Sequence, residues 1–123
     1  MPNPFTSAAT GDTSSTVNNL AATGSVGPGT VVLFQSAGAA LRNFLTGLQL
    51  SVSAAVVSTI SILDGVTTIW QITLPAAAAT VSPVIVVPFL TPLKGSANST
   101  MSIVVAGALT TVQYNAQGYS GSQ

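Results

Sequence analysis

From Gly29 onward the apolar residues return at every second position, and that period decides what the chain can fold into. Within Asn43–Val52, Phe44, Leu48, Leu50 and Val52 share one face, with Thr46 the exception, while Asn43, Gln49 and Ser51 share the other. Val66–Leu74 repeats the pattern, with Trp70, Ile72 and Leu74 inward and Gln71 and Thr73 outward. Met101, Ile103 and Val105 alternate, as do Val112, Tyr114 and Ala116. Side chains alternate across a strand, so a period of two with Val, Ile and Thr enrichment predicts half-buried strands. A helix is disfavoured because β-branched side chains are confined at χ1 there. The alanine run of Pro75–Thr80 is the one helix-favouring stretch, and it is too short behind a proline to be more than a loop or single turn.

Turn residues fall where these strands should stop. Gly27, Pro28 and Gly29 separate the N-terminal region from the first strand, and Ser36–Ala40 forms a loop around Gly38. Asp64-Gly65, between Ile60, Ile62, Val66 and Thr68, predicts a two-residue type I′ hairpin turn. Strands are expected near 30–36, 42–52, 55–63, 66–74, 82–90, 99–106 and 109–117, with an eighth near 14–20. Seven or eight short strands at this spacing indicate an all-β, jelly-roll-like β-sandwich over residues 29–123. Residues 1–28 are rich in Ser, Thr, Ala, Asn and Gly and are expected to form an extended N-terminal arm. The arm is not charge-rich as solvated tails are, and Val17 and Leu20 lie in short segments suited to a sheet edge, so we expect it to order against a neighbouring subunit.

Charge then narrows the function. The chain carries Asp12, Arg42, Asp64 and Lys94 and no other charged side chain, where roughly 25% of residues, about 30, is usual. It has no His and no Cys. A Ser-His-Asp triad and a zinc site are thereby excluded. The carboxylate pair would have to join an arm residue, Asp12, to a turn residue, Asp64, where Asp is simply the favoured turn former. Ser96 two residues after Lys94 imitates a Ser-Lys dyad, a spacing too common to signify catalysis. No phosphate-binding glycine motif occurs, and Asn98-Ser99-Thr100 matches a glycosylation acceptor that matters only in a secreted protein. We therefore expect no enzyme activity, no cofactor and no metal. Zero net charge gives no attraction to nucleic acid or anionic lipid. Met1–Phe5 has neither a basic nor an apolar signal region, and the most apolar run, Val84–Leu90, is short and holds Pro88, so neither export nor a membrane span is expected.

What remains suits a protein packed against other proteins. Arg42, Asp64 and Lys94 flank expected strands, where they serve as solubility and turn residues or as an ion pair that fixes register within or between subunits. The planar fork of Arg favours Arg42 as an interface residue. Tyr119, just past the last expected strand, is a further interface candidate, beside Val17 and Leu20 of the arm. Trp70 is expected in the core.

Four blocks carry a resemblance: Arg42–Leu50 (RNFLTGLQL), Ile62–Trp70 (ILDGVTTIW), Pro92–Asn98 (PLKGSAN) and Asn115–Tyr119 (NAQGY). In this order they resemble blocks of small tailed-bacteriophage virion structural proteins, of the head-decoration, cement-like β-sandwich kind. The resemblance covers about residues 40–119 and implies a structural component of the phage particle with no catalytic residues. The family pattern has aromatic or charged residues after the Trp, whereas Gln71–Pro75 is neutral here. The expected function is capsid decoration. A homotrimer made in the host cytoplasm would sit on the outer head surface of the virion and clamp neighbouring major capsid protein subunits. The alternative is a host-recognition module of a tail or head fibre that binds a glycan or a surface protein through hydroxyl-rich loops.

Overall fold

The computed structural model describes residues 18–53, 56–76, 84–108 and 110–122. They form eight strands: β1 (Asn18–Val26), β2 (Gly29–Phe34), β3 (Arg42–Ser53), β4 (Ser58–Asp64), β5 (Thr67–Leu74), β6 (Val84–Lys94), β7 (Met101–Ala106) and β8 (Thr111–Gly121). Two four-stranded sheets result, in the orders β1-β8-β3-β6 and β2-β7-β4-β5, and every pairing is antiparallel. The fold is an all-β sandwich. Its pairing is nested, with β4 against β5, β3 against β6, β2 against β7 and β1 against β8. The chain therefore behaves as one long hairpin, folded at β4–β5 and rolled over so that alternate pairs enter opposite sheets.

The core lies between the sheets. Leu48, Leu50 and Val52 of β3, Ile60 and Ile62 of β4, Met101, Ile103 and Val105 of β7, and Val112 and Ala116 of β8 are all at most 2% exposed. Fully burying one of these Val, Leu, Ile or Met side chains contributes about 1.5–3 kcal/mol. The period-two faces read from β7 and β8 are the faces observed.

β3 departs from the expected alternation at its first half. Thr46 is an extra residue facing β8, where Leu45 pairs with Gly118 and Gly47 with Gln117. This bulge reverses the side-chain parity. Beyond it the even positions point inward as expected. Before it the odd positions do: Leu45 is fully buried in the core cluster and Asn43 is 1% exposed. Phe44, expected inward, instead lies across from Tyr119 on the outer face and is buried beneath that ring, with centroids 4.6 Å apart and planes 14° from parallel.

Two boundaries also move. Asn18–Val26, read from the sequence as part of the arm, is β1, and it pairs along its full length with β8 of the same chain. Residues 1–17, including Asp12 and Val17, lie outside the described residues, as does most of the alanine-rich connection. The hairpin expected to turn at Asp64-Gly65 turns one residue later. Asp64 pairs with Thr67, which leaves Gly65 and Val66 as the loop. Gly65 has φ of 62° and Val66 is not among the positive-φ residues, which is the type II′ pattern with Gly first. Asp64 stays in the strand because its carboxylate is used elsewhere.

Candidate functional site

Strand direction brings three loops to one end of the sandwich: residues 35–41 between β2 and β3, Gly65–Val66 between β4 and β5, and residues 95–100 between β6 and β7. Arg42, Asp64 and Lys94 all lie at this end, because each opens or closes a strand there. Asp64 is the centre of the cluster. Its Oδ2 accepts hydrogen bonds from the Ser96 amide at 3.0 Å and the Ser96 hydroxyl at 2.6 Å. Its Oδ1 is buried and accepts no hydrogen bond. Burial pushes the carboxyl up, but Ser96 Oγ, the nearby Ser99 hydroxyl, the Ser96 amide and the Arg42 charge outweigh burial and hold it below its ordinary value.

The expected register-fixing ion pair takes a different form. Arg42 acts on Asp64 through its charge, while its Nη1 donates to the Gly95 carbonyl at 3.1 Å. Gly95 N–H in turn donates to the Asn43 carbonyl at 2.8 Å. A side chain at position 95 would press on that carbonyl, on Asp64 Oδ1 and on Met101, so glycine is what lets this loop lie flat on the strands. Gly65 N–H donates to the Thr100 carbonyl at 2.8 Å and Asn98 N–H to the Leu41 carbonyl at 2.9 Å. Asn98 adopts φ of 57°, a left-handed conformation Asn tolerates, and its Oδ1 accepts from Ser36 Oγ at 2.6 Å.

Asn43 locks the same loops from beneath. Its buried Nδ2 donates to the Gln35 carbonyl at 2.8 Å and to the Ser99 carbonyl at 3.3 Å. Sequence reasoning placed Asn43 on the outer face. A polar residue beside Arg42 at a strand start gives no sign that the parity of the strand is about to reverse.

The other candidates are placed as follows. Lys94 is exposed and pairs in register with Phe44. Tyr119 lies within β8, not beyond it, and stacks on Phe44 of its own chain. Leu20 is half-buried and packs on the core from β1. The structure thus brings Arg42 and Asp64 together and leaves Tyr119 and Leu20 with intramolecular partners. The cluster binds loops to one another, and no group of His, Cys, Asp or Glu suited to a metal occurs among the described residues.

A second feature, on the flank formed by β5 and β6, is not visible from strand periodicity alone. Among the described residues, eight of the eleven half-buried apolar residues around the core come from these two strands: Ile69, Trp70, Ile72 and Leu74, and Ile85, Val87, Phe89 and Leu93. Trp70 meets Phe89 edge to face, with centroids 5.9 Å apart. The outer side of β6 is apolar as well: Val84 is 71% exposed, Val86 63% and Leu90 99%. Between the pairs Gly47–Pro88 and Leu45–Leu93, β6 bulges through residues 89–92. Phe89 continues the inward alternation of Ile85 and Val87, Leu90 lies wholly in solvent, and the bulge resets the parity only beyond it. The signal was present in the unbroken apolar run VIVVPFL, the composition of a strand covered on both faces.

The outer face of the same sheet carries an open groove of about 230 Å³, lined by Gln49, Ser51, Val84, Gln113 and Asn115 among others. Its exposed surface is mostly apolar, and its lining includes Gln, Asn and Ser residues but no charged one.

No family model matches the chain, and no curated protein matches it. Among solved structures, the insecticidal δ-endotoxin Cry8Ea1 of Bacillus thuringiensis is similar at 14% identity, with a TM-score of 0.40. The match covers 82% of this chain and 19% of the endotoxin, so the chain spans about a fifth of that protein's length.

Proposed function

We propose that this chain is a capsid decoration protein of a tailed phage. It binds the outer head surface as a homotrimer and clamps neighbouring major capsid protein subunits; it is made in the host cytoplasm and resides on the virion. The observation that carries this reading is the pairing of an almost uncharged surface with an apolar flank of half-covered and exposed side chains. Burial of such surface, between copies within the trimer and between the uncharged trimer and the capsid, stabilises each contact by about 25 cal/mol per Å² without charge pairing. Repetition over a lattice multiplies a modest single contact. The hydrogen-bonded loop cluster supports a passive role, because a clamp needs a stiff end and no moving parts. Binding, with no catalysis and no cofactor, is the activity. The finer fold assignment belongs to the same reading: the nested pairing and the two strand orders support a jelly roll, an architecture common in capsid domains.

The test is co-sedimentation of the purified chain with phage heads assembled without it, at low and at molar NaCl. Screening weakens contacts between exposed charges and leaves apolar burial intact. Binding retained in molar salt is the expected result, and release on raising the salt counts against the proposal. A second reading, recognition of a neutral glycan on the host, draws on the uncharged, mostly apolar groove whose lining includes Gln49, Gln113 and Asn115. Retention of the chain on a host-glycan array, abolished by Q49A/Q113A, would select it.

A further inference from the structure

We propose that the β5/β6 flank is the surface through which one copy of this chain packs on another. The inference deepens the function proposed above and rests on it only for the count of three. The contact itself forms in solution, without phage heads.

β6 is an edge strand whose sequence is that of a strand covered on both sides. Its inward residues Ile85, Val87, Phe89 and Leu93 are half-buried, and Val84, Val86 and Leu90 project outward with most of their surface exposed. A solvated sheet face ordinarily alternates to polar residues there. Edge strands are ordinarily protected by Lys or by other charges. The described charges, Arg42, Asp64 and Lys94, are instead gathered at one end, and β5 carries none. Pro88 and Pro92 remove two N–H donors from β6, so its backbone is a poor template for strand addition. The neighbouring edge, Thr67–Leu74, has neither proline nor charge along eight residues. One flank thus offers an apolar stripe for side-chain packing beside an unprotected strand edge.

The occupant is a second copy because of charge. A charged group laid over Val84, Val86 and Leu90 would lose its water without gaining a partner, which opposes the contact. Protein surfaces are typically about a quarter to a third charged, so few offer a neutral area this broad. This chain's own surface does. Away from the loop cluster, two copies meet with no unlike partner to find and no like charge to repel.

The chain carries its own reporter, since Trp70 is its single tryptophan and lies in the flank against Phe89. The experiment is light scattering of the full chain, with Trp70 emission and iodide quenching followed on dilution. The wild type is expected to show a mass several times 12.2 kDa when concentrated. On dilution to monomer, Trp70 emission should shift red and quenching rise. V86D/L90D alters two exposed side chains and is expected to be a folded monomer at every concentration, with Trp70 unresponsive to dilution. T23D, on the outer face of β1 at the opposite edge, is expected to keep the wild-type mass. A monomeric wild type overturns the proposal, and Trp70 shielded in that monomer would mean that the chain's own residues 1–17 or 77–83 cover the flank. A folded V86D/L90D of unchanged mass overturns it as well. Should that variant not fold, the dilution response of Trp70 in the wild type decides, and no response overturns the contact. Capsid binding by a monomer would leave the decoration reading standing while the self-contact falls.

Discussion

Asn43 and Asp64 do at residue scale what a longer chain would assign to a set of salt bridges. Each joins loops that are far apart in sequence: Asn43 reaches Gln35 and Ser99, and Asp64 reaches Ser96. Asn43→Ala removes the donor shared by the buried Phe34 carbonyl and the part-buried Gln35 and Ser99 carbonyls. We expect it to lower unfolding free energy by about 2–3 kcal/mol in urea titration. Asp64 makes stability depend on pH in a known sense. Its folded pKa lies below the ordinary value, so in acid the unfolded chain binds the proton more readily. The stabilisation is complete above the unfolded pKa of about 4 and is lost as pH falls through the folded pKa. D64N should unfold at lower denaturant concentration than wild type at pH 7, and the difference should shrink steadily on acidification. A wild-type-minus-D64N difference that stayed constant down to pH 2 would falsify the role given to the carboxylate.

The strands show what alternation can and cannot reveal. β7 and β8 kept the faces read from sequence because nothing interrupts their inward-facing runs, Met101–Val105 and Val112–Ala116. In β3 a single extra residue, Thr46, reverses the face, and its hydroxyl donates to the Gln117 carbonyl at 3.1 Å. Thr46 was the exception to the alternation, and that exception was the bulge itself. A long-range contact accompanies it: Gly118 of β8 lies directly against the Phe44 carbonyl, and a β-carbon there would collide with backbone. Gly118→Ala is therefore expected to cost about 3 kcal/mol or more, read as a drop in thermal midpoint. The Asp64 turn was displaced by one residue, and the Ser96 loop that holds the carboxylate is likewise distant in sequence. Hairpin signals register local chemistry only.

At the scale of the molecule, strand number, class and most boundaries were legible because they follow from period and punctuation. The loop cluster was legible in part. Arg42, Asp64 and Lys94 were recognised as belonging to strand ends, but their meeting at one end depends on how the nested pairing orients those ends. The apolar flank was written in β6, yet its exposure follows from β6 being an edge, which composition does not encode. With so few charges, the folded state should respond little to ionic strength, and its thermal midpoint should be nearly the same in dilute and molar NaCl. A large shift would point to electrostatics that the described contacts lack. The nested pairing also bears on how the chain comes into being. On the ribosome β1 emerges first, while its partner β8 is the last strand to be translated. β2 likewise waits for β7, and β4 with β5 is the first hairpin whose halves are both available. Non-local pairing of this kind is slow to form. Each nascent chain therefore spends its synthesis with neutral, apolar strands unpaired, open to capture by the same strands of chains growing beside it.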